Sequence, residues 1–184
     1  MKGLIRGCFF LFIFTGVGCS APGLEHYDGR SPAFIPEKFF QGSLQAHGIV
    51  KNRSGEVTRT FNATIEASWQ GSRGLLKERF EFDDGEIQYR NWQLTPQEDA
   101  SGTRVFYATA EDVIGTAELR VRGNAAFMRY VLDVPYKDST IELTVDDRMY
   151  LTTDNVLIGE SELRKWGFRV GEIVLTITKS PPGH

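Results

Sequence analysis

Arg59-Thr-Phe-Asn-Ala-Thr-Ile-Glu-Ala-Ser-Trp69 is the stretch that decides the fold. Phe61, Ala63, Ile65, Ala67 and Trp69 alternate with Thr60, Asn62, Thr64, Glu66 and Ser68. Successive side chains of a β-strand point to opposite faces, so this period of two predicts a half-buried strand. Gly71 and Gly74 mark the turn that follows. Leu76, Glu78, Phe80 and Phe82 then form a second inner face, and Asp84-Gly85 predicts a type I′ hairpin. Gln88 to Leu94 makes the next strand, with Arg90, Trp92 and Leu94 on one face.

The same pattern extends in both directions. A strand carrying His47 precedes this region. After it come Val105 to Ala110, then Ala117, Leu119 and Val121 alternating up to Gly123-Asn124. Met128, Tyr130, Leu132 and Val134 alternate up to Pro135, and Ile141, Leu143 and Val145 up to Asp146. Val156 to Leu163 and Val170 to Lys179 complete the set. Only Gly159 to Trp166 offers a helix candidate, and it is short. Consecutive strands with short turns predict an all-β fold, an antiparallel up-and-down barrel of about 8–10 strands, because closure removes exposed sheet edges. The expected boundaries are one barrel domain over residues 39–180 and a frayed tail at 181–184. A tether rich in proline and glycine is expected over residues 19–38.

The N-terminus reads as an export signal over residues 1–18. Lys2 and Arg6 precede an apolar run, Cys8 to Phe14, and Gly16-Val-Gly-Cys19 resembles a lipobox in which Cys19 is acylated. Gly16 stands where such motifs usually carry Leu. Cleavage after Ala21, giving a soluble periplasmic protein, is the alternative. The apolar run is far shorter than the roughly 20 residues of a spanning helix. One acyl chain anchors only marginally, so firm anchoring rests on several chains. Ser20 follows the cysteine where an inner-membrane retention signal usually places Asp. The expected location is therefore the outer membrane, on its periplasmic face, with the acyl chains (palmitate among them) holding the protein there.

Removal of the signal leaves 166 residues, enough for a sizeable core. Lys2 and Arg6 leave with it, so 21 basic side chains become 19 against 24 acidic ones. A mildly acidic chain without a basic run excludes nucleic acid as a partner. Cys8 departs with the signal and Cys19 is consumed by acylation, so the domain is expected to hold no disulfide and no thiolate metal site. No cofactor or metal is expected.

Several stretches together resemble a bacterial lipoprotein family catalogued as domain of unknown function 3833. They are Phe39-Phe-Gln-Gly42, Glu78-Arg-Phe-Glu-Phe-Asp-Asp-Gly85, Arg90-Asn-Trp92, Ala110-Glu-Asp-Val-Ile-Gly115, Gly123-Asn-Ala125, Asp146-Asp-Arg-Met-Tyr-Leu151 and Trp166-Gly-Phe-Arg-Val-Gly-Glu172. They run in order across the mature chain. Arg148 departs from the aromatic expected of the family there. The strand order and the Phe-Phe-x-Gly opening are also similar to calycins, the lipocalin-like barrels. That likeness implies a fold, and a function must be argued from the site.

Glu78 and Arg90 lie on the apolar faces of adjacent strands. Inward charges are costly unless paired. They read either as an ion pair fixing register or as a polar anchor, with Arg90 gripping a carboxylate. Trp69, Trp92, Phe61, Phe80, Phe82 and Tyr130 face inward and either line an apolar cavity or fill the barrel. Tyr150 is a rim residue or a packed aromatic. Asp146-Asp147, with Asp133, Asp138 and Asp154, lacks the spacing of a calcium loop and reads as turn and strand-end acids. Of His26, His47 and His184 only His47 falls in the domain, and no nucleophile elbow, phosphate loop or zinc helix is present.

Three functions follow from this. The first is an anchored barrel that binds or shields a fatty acid, lipid or other apolar ligand at Glu78, Arg90, Trp69, Trp92, Tyr130 and Tyr150. The second is a filled barrel that docks an envelope protein partner. The third is an enzyme acting on lipid, for which Glu78 or Asp146 would need a raised pKa inside a pocket.

Overall fold

The computed structural model describes residues 21–97, 103–136 and 138–179. Cys19, the signal segment and the tail lie outside them. Among the described residues no helix is long and apolar enough to cross a membrane.

Ten strands follow one another: β1 Gly42–Asn52, β2 Val57–Gln70, β3 Arg73–Phe82, β4 Ile87–Gln97, β5 Arg104–Thr109, β6 Val113–Arg122, β7 Ala125–Tyr136, β8 Ser139–Thr153, β9 Val156–Lys165 and β10 Phe168–Lys179. Each pairs antiparallel with the next, and β10 pairs with β1, so the sheet closes into an up-and-down barrel. The alternation read from Arg59 to Trp69 is the burial pattern of β2: Phe61, Ala63, Ile65 and Ala67 are 7% exposed or less.

Three local expectations are corrected. Gly159 to Lys165 is strand and Trp166 opens the turn after it, since Leu157, Gly159 and Ser161 point inward at period two while β9 pairs on both sides. The turn after β3 is wider than type I′, because only Gly85 has positive φ and Phe82 N–H bonds to the Glu86 carbonyl. β8 does not stop at Asp146 but runs on to Thr153, its inner face continuing through Asp147, Met149 and Leu151.

Residues 24–38, expected as part of a tether, are seated on the barrel together with Phe39 and Phe40. A 3-10 turn at Leu24–Tyr27 and a short helix, α1 (Pro36–Phe39), lead into β1. Phe34, Phe39 and Phe40 stack edge to face at 5.2–5.9 Å and are 4% exposed or less. Each buried Phe contributes about 1.5–3 kcal/mol, which outweighs the flexibility suggested by nearby glycine and proline. The segment is held by Phe34 N–H on the Gly123 carbonyl (2.7 Å), Trp69 Nε1 on the Phe40 carbonyl (2.7 Å) and Lys179 Nζ on the Lys38 carbonyl (2.6 Å). It plugs the end of the barrel where β2–β3, β6–β7 and β8–β9 turn. The other end, with the β1–β2, β3–β4 and β9–β10 turns, is the mouth.

Gly123 shows how closely the plug fits. It has φ 51°, and a Cβ there would run into the Tyr27 carbonyl. Gly123→Ala is expected to destabilise the fold by more than about 1 kcal/mol, combining strain with the collision. Limited proteolysis would show earlier cleavage within residues 24–40.

Candidate functional site

The barrel is hollow. A cavity of about 210 Å³ runs from Phe40 in the plug to the exposed Gln88 at the mouth. An apolar cavity of about 150 Å³ already admits a benzene ring, so this one holds a slender ligand. Its wall is mostly Phe, Leu, Ile, Val and Met, with Glu78, Arg90, Tyr130, Asp147 and Ser161 forming a polar belt.

Strand alternation places each member of the belt. Glu78 on β3 and Arg90 on β4 are register partners. Tyr130 on β7 lies opposite Val145, and Asp147 on β8 lies opposite Ser161 on β9. Arg90 does not take Glu78 as its bonded partner. Its Nε and Nη2 donate to both oxygens of Asp112 at 2.7–3.0 Å, and its guanidinium lies 5.9 Å from the rings of Phe80 and Trp92. Asp112 reaches this place because β5 ends at Thr109, opposite Gln93. The loop that follows crosses the first half of β4, where Glu111 accepts from the Asn91 backbone N–H (3.1 Å) and from Nδ2 (2.9 Å).

Enclosure shapes the electrostatics. The Glu78 carboxyl is pushed up to about 7, mainly by burial; Arg90 opposes the rise, and Asp147 and Asp112 add to it. Asp147 is pushed up to about 6, again mainly by burial, against the Ser161 hydroxyl that donates to it at 2.9 Å and against Arg90. Burial, with Asp147, carries the Tyr130 hydroxyl far above its usual range. Burial disfavours the Arg90 charge, but Asp112, Tyr130 and Glu78 outweigh it and keep the guanidinium protonated. Arg90 is the one cation on the cavity wall among the described residues.

Of the residues expected from sequence, Glu78, Arg90, Trp92 and Tyr130 meet in this cavity, Trp92 and Tyr130 edge to face at 5.3 Å. Trp69 instead seals the plug, its ring against Phe106 at 6.1 Å. Tyr150 faces outward and packs on Tyr27 (5.3 Å) and Phe127 (6.1 Å), because Met149 takes the inward position beside it. Arg148 is also outward, over Phe127 at 4.8 Å and paired with Asp146 at 3.3 Å, so the family departure does not touch the cavity. Asp146 and Asp147 thus lie on opposite faces, which separates the adjacent acids. His47 is outward as well, against Asn62 at 2.6 Å.

Asp112 and Ser161 were not singled out from sequence, and Asp147, expected there to be a turn or strand-end acid, stands mid-strand on the cavity wall. Continuing the alternation Ile141, Leu143, Val145 through Met149 and Leu151 would have put Asp147 inside. Asp112 gives no such signal, since it sits on a loop distant in sequence from Arg90.

A closed meander around an apolar cavity with a polar belt defines a lipocalin-like barrel. The chain belongs to the family described as Protein of unknown function (DUF3833), matching it over residues 13–179. Among solved structures it is similar to the S-type phycobiliprotein lyase CPES from Guillardia theta, with TM-score 0.59 and 9% identity, covering 78% of this chain and 89% of that one. It also aligns with EF1p2_mFAP2b, solved bound to DFHBI, at TM-score 0.41 and 7% identity, covering 77% and 94% of the two chains. No curated protein matches the sequence.

Proposed function

We propose that the protein is a lipid-anchored carrier whose barrel holds one slender apolar ligand, a fatty acid or related single-chain lipid. The observation that carries this reading is the cavity of about 210 Å³, apolar along its length and polar at one belt. Sites of this kind bury an apolar body and fix one polar end. The likeness in fold to the phycobiliprotein lyase agrees with a barrel of this type. Acylation of Cys19 holds the barrel at the outer membrane, facing the periplasm.

The belt sets the head group. Arg90 is already engaged by Asp112, so it offers a carboxylate only the Nη1 side of its guanidinium. Neutral Glu78 donates a hydrogen bond to that carboxylate, whereas ionised Glu78 repels it. Affinity for a fluorescent fatty acid is therefore expected to fall as pH rises through about 7. Glu78→Gln is expected to remove that dependence, and a fatty amine to show the opposite trend.

Native mass spectrometry of protein extracted from membranes tests both parts. The expected result is a triply acylated Cys19 and a released single-chain lipid. An empty barrel that takes up no fluorescent fatty acid overturns the ligand reading. An unacylated N-terminus after Ala21 overturns the anchor.

A second reading rests on two acids with pKa near neutrality in one cavity, the situation of a general acid or base. An enzyme acting on lipid would return the added lipid with altered mass in the same experiment, whereas a carrier returns it unchanged.

A further inference from the structure

The β9–β10 turn carries Arg164-Lys-Trp-Gly-Phe-Arg-Val170 at the mouth. Trp166 is 87% exposed, Phe168 70% and Val170 38%. Lys165 and Phe168 are register partners, so Trp166 and Gly167 form a two-residue turn, with φ 51° and 83°. Such turns favour Asn-Gly, because positive φ at both positions strains a side chain with a Cβ. Trp166 is the one described non-glycine residue with positive φ. A large aromatic is thus held in a disfavoured backbone conformation and pushed into solvent, where it buries little of its surface against the fold. Strain of this sort marks a functional position.

The charges of the turn itself have one sign. Arg164, Lys165 and Arg169 ring the tip with no acid between them, on a chain of net charge −3. Lys165 Nζ lies 4.8 Å from the Trp166 ring. Arg164 Nη1 donates to the Gly167 carbonyl at 3.2 Å, and its acid partner Glu162 lies further down the strand. Arg169 pairs with Glu172, likewise away from the tip, at 2.8 Å. Aromatics flanked by cations suit the bilayer interface, with rings at the acyl boundary and cations among anionic headgroups.

We propose that the β9–β10 tip inserts into an anionic lipid surface and brings the mouth of the cavity to the bilayer. This contact is separate from the N-terminal anchor, which enters the domain on the β7–β8 wall, where Arg148 Nη1 meets the Pro22 carbonyl at 3.5 Å. Ligand would then pass between bilayer and cavity without crossing bulk water. The ligand reading can fail while the tip still inserts, and the reverse also holds.

The test uses the full chain with Cys19→Ser, so that acylation cannot supply the binding. Vesicles contain phosphatidylethanolamine and phosphatidylglycerol, with brominated acyl chains as the quencher. The Trp166 contribution is the difference between the parent spectrum and that of Trp166→Asn. It is expected to shift blue and to be quenched on vesicle binding. Trp166→Asn with Phe168→Asn is expected to weaken partitioning at least about tenfold, since each buried aromatic contributes about that factor or more. The thermal midpoint of this variant should stay level or rise, because Asn suits the turn, and its ligand binding should persist. Omitting phosphatidylglycerol should also weaken binding, by about fivefold per basic residue. Trp166 emission unmoved by vesicles, or a double variant that partitions like the parent, overturns the proposal. So does a dimer, seen by ultracentrifugation without lipid, that the double variant abolishes; the tip would then belong to a second copy.

Discussion

Glu78→Gln is expected to stabilise the fold by about 1–3 kcal/mol near pH 8 and to change it little near pH 5. An acid raised on folding from 4.5 to about 7 costs on the order of 3 kcal/mol once ionised, and cavity water lowers that figure. The sign follows from linkage. The unfolded chain releases the Glu78 proton first, so the stabilisation is complete below about pH 4.5 and is lost as pH rises through about 7. Asp147 acts in the same direction at lower pH, being pushed up to about 6. Urea unfolding of both proteins across this range checks the expectation. The parent should lose stability towards pH 8 and the variant should lose less. Parallel curves would show that Glu78 is not the group responsible.

Arg90→Met is expected to cost about 3–5 kcal/mol near pH 8, the usual penalty for stranding partners of a buried ion pair. Three acids would lose their cation at once: Asp112, which it binds, and Glu78 and Asp147, which share its field. Near pH 5 the cost should shrink, because Glu78 and Asp147 are largely neutral there. Asp112→Asn should cost less at either pH, since Arg90 keeps the other two acids and the Asp112 side chain is 34% exposed. Equal costs for the two variants would mean that Arg90 matters only through Asp112.

The barrel was legible because alternation survives on every strand that faces a closed interior. Phe61 to Trp69 and Met128 to Leu132 needed no knowledge of their neighbours. Alternation also placed Glu78 and Arg90 inside, where their charge made them conspicuous. It could not show that Arg90 turns to Asp112, because that contact depends on where β5 stops. Nor could it tell that Trp69 falls at the plug, since facing inward says nothing of depth along the axis. Tyr150 shows a register error: once β8 is ended at Asp146, nothing fixes the face of the residues beyond it. The docking of Phe34 was obscured by the prolines and glycines around it, although a phenylalanine so close to Phe39 and Phe40 at the start of the barrel domain is poor material for a solvated linker.

The pairing of β10 with β1 has a consequence for how the chain reaches this state. Leu44 and Lys179 are partners across nearly the whole domain. The ring therefore cannot shut until the last strand has been delivered, and contacts so remote in sequence make folding slow. Until then β1 and β9 are open edges that can pair with other copies. A chain truncated before Phe168 would thus yield aggregate rather than a smaller barrel. A chain crossing a membrane N-terminus first would remain unshut until its final strand emerged.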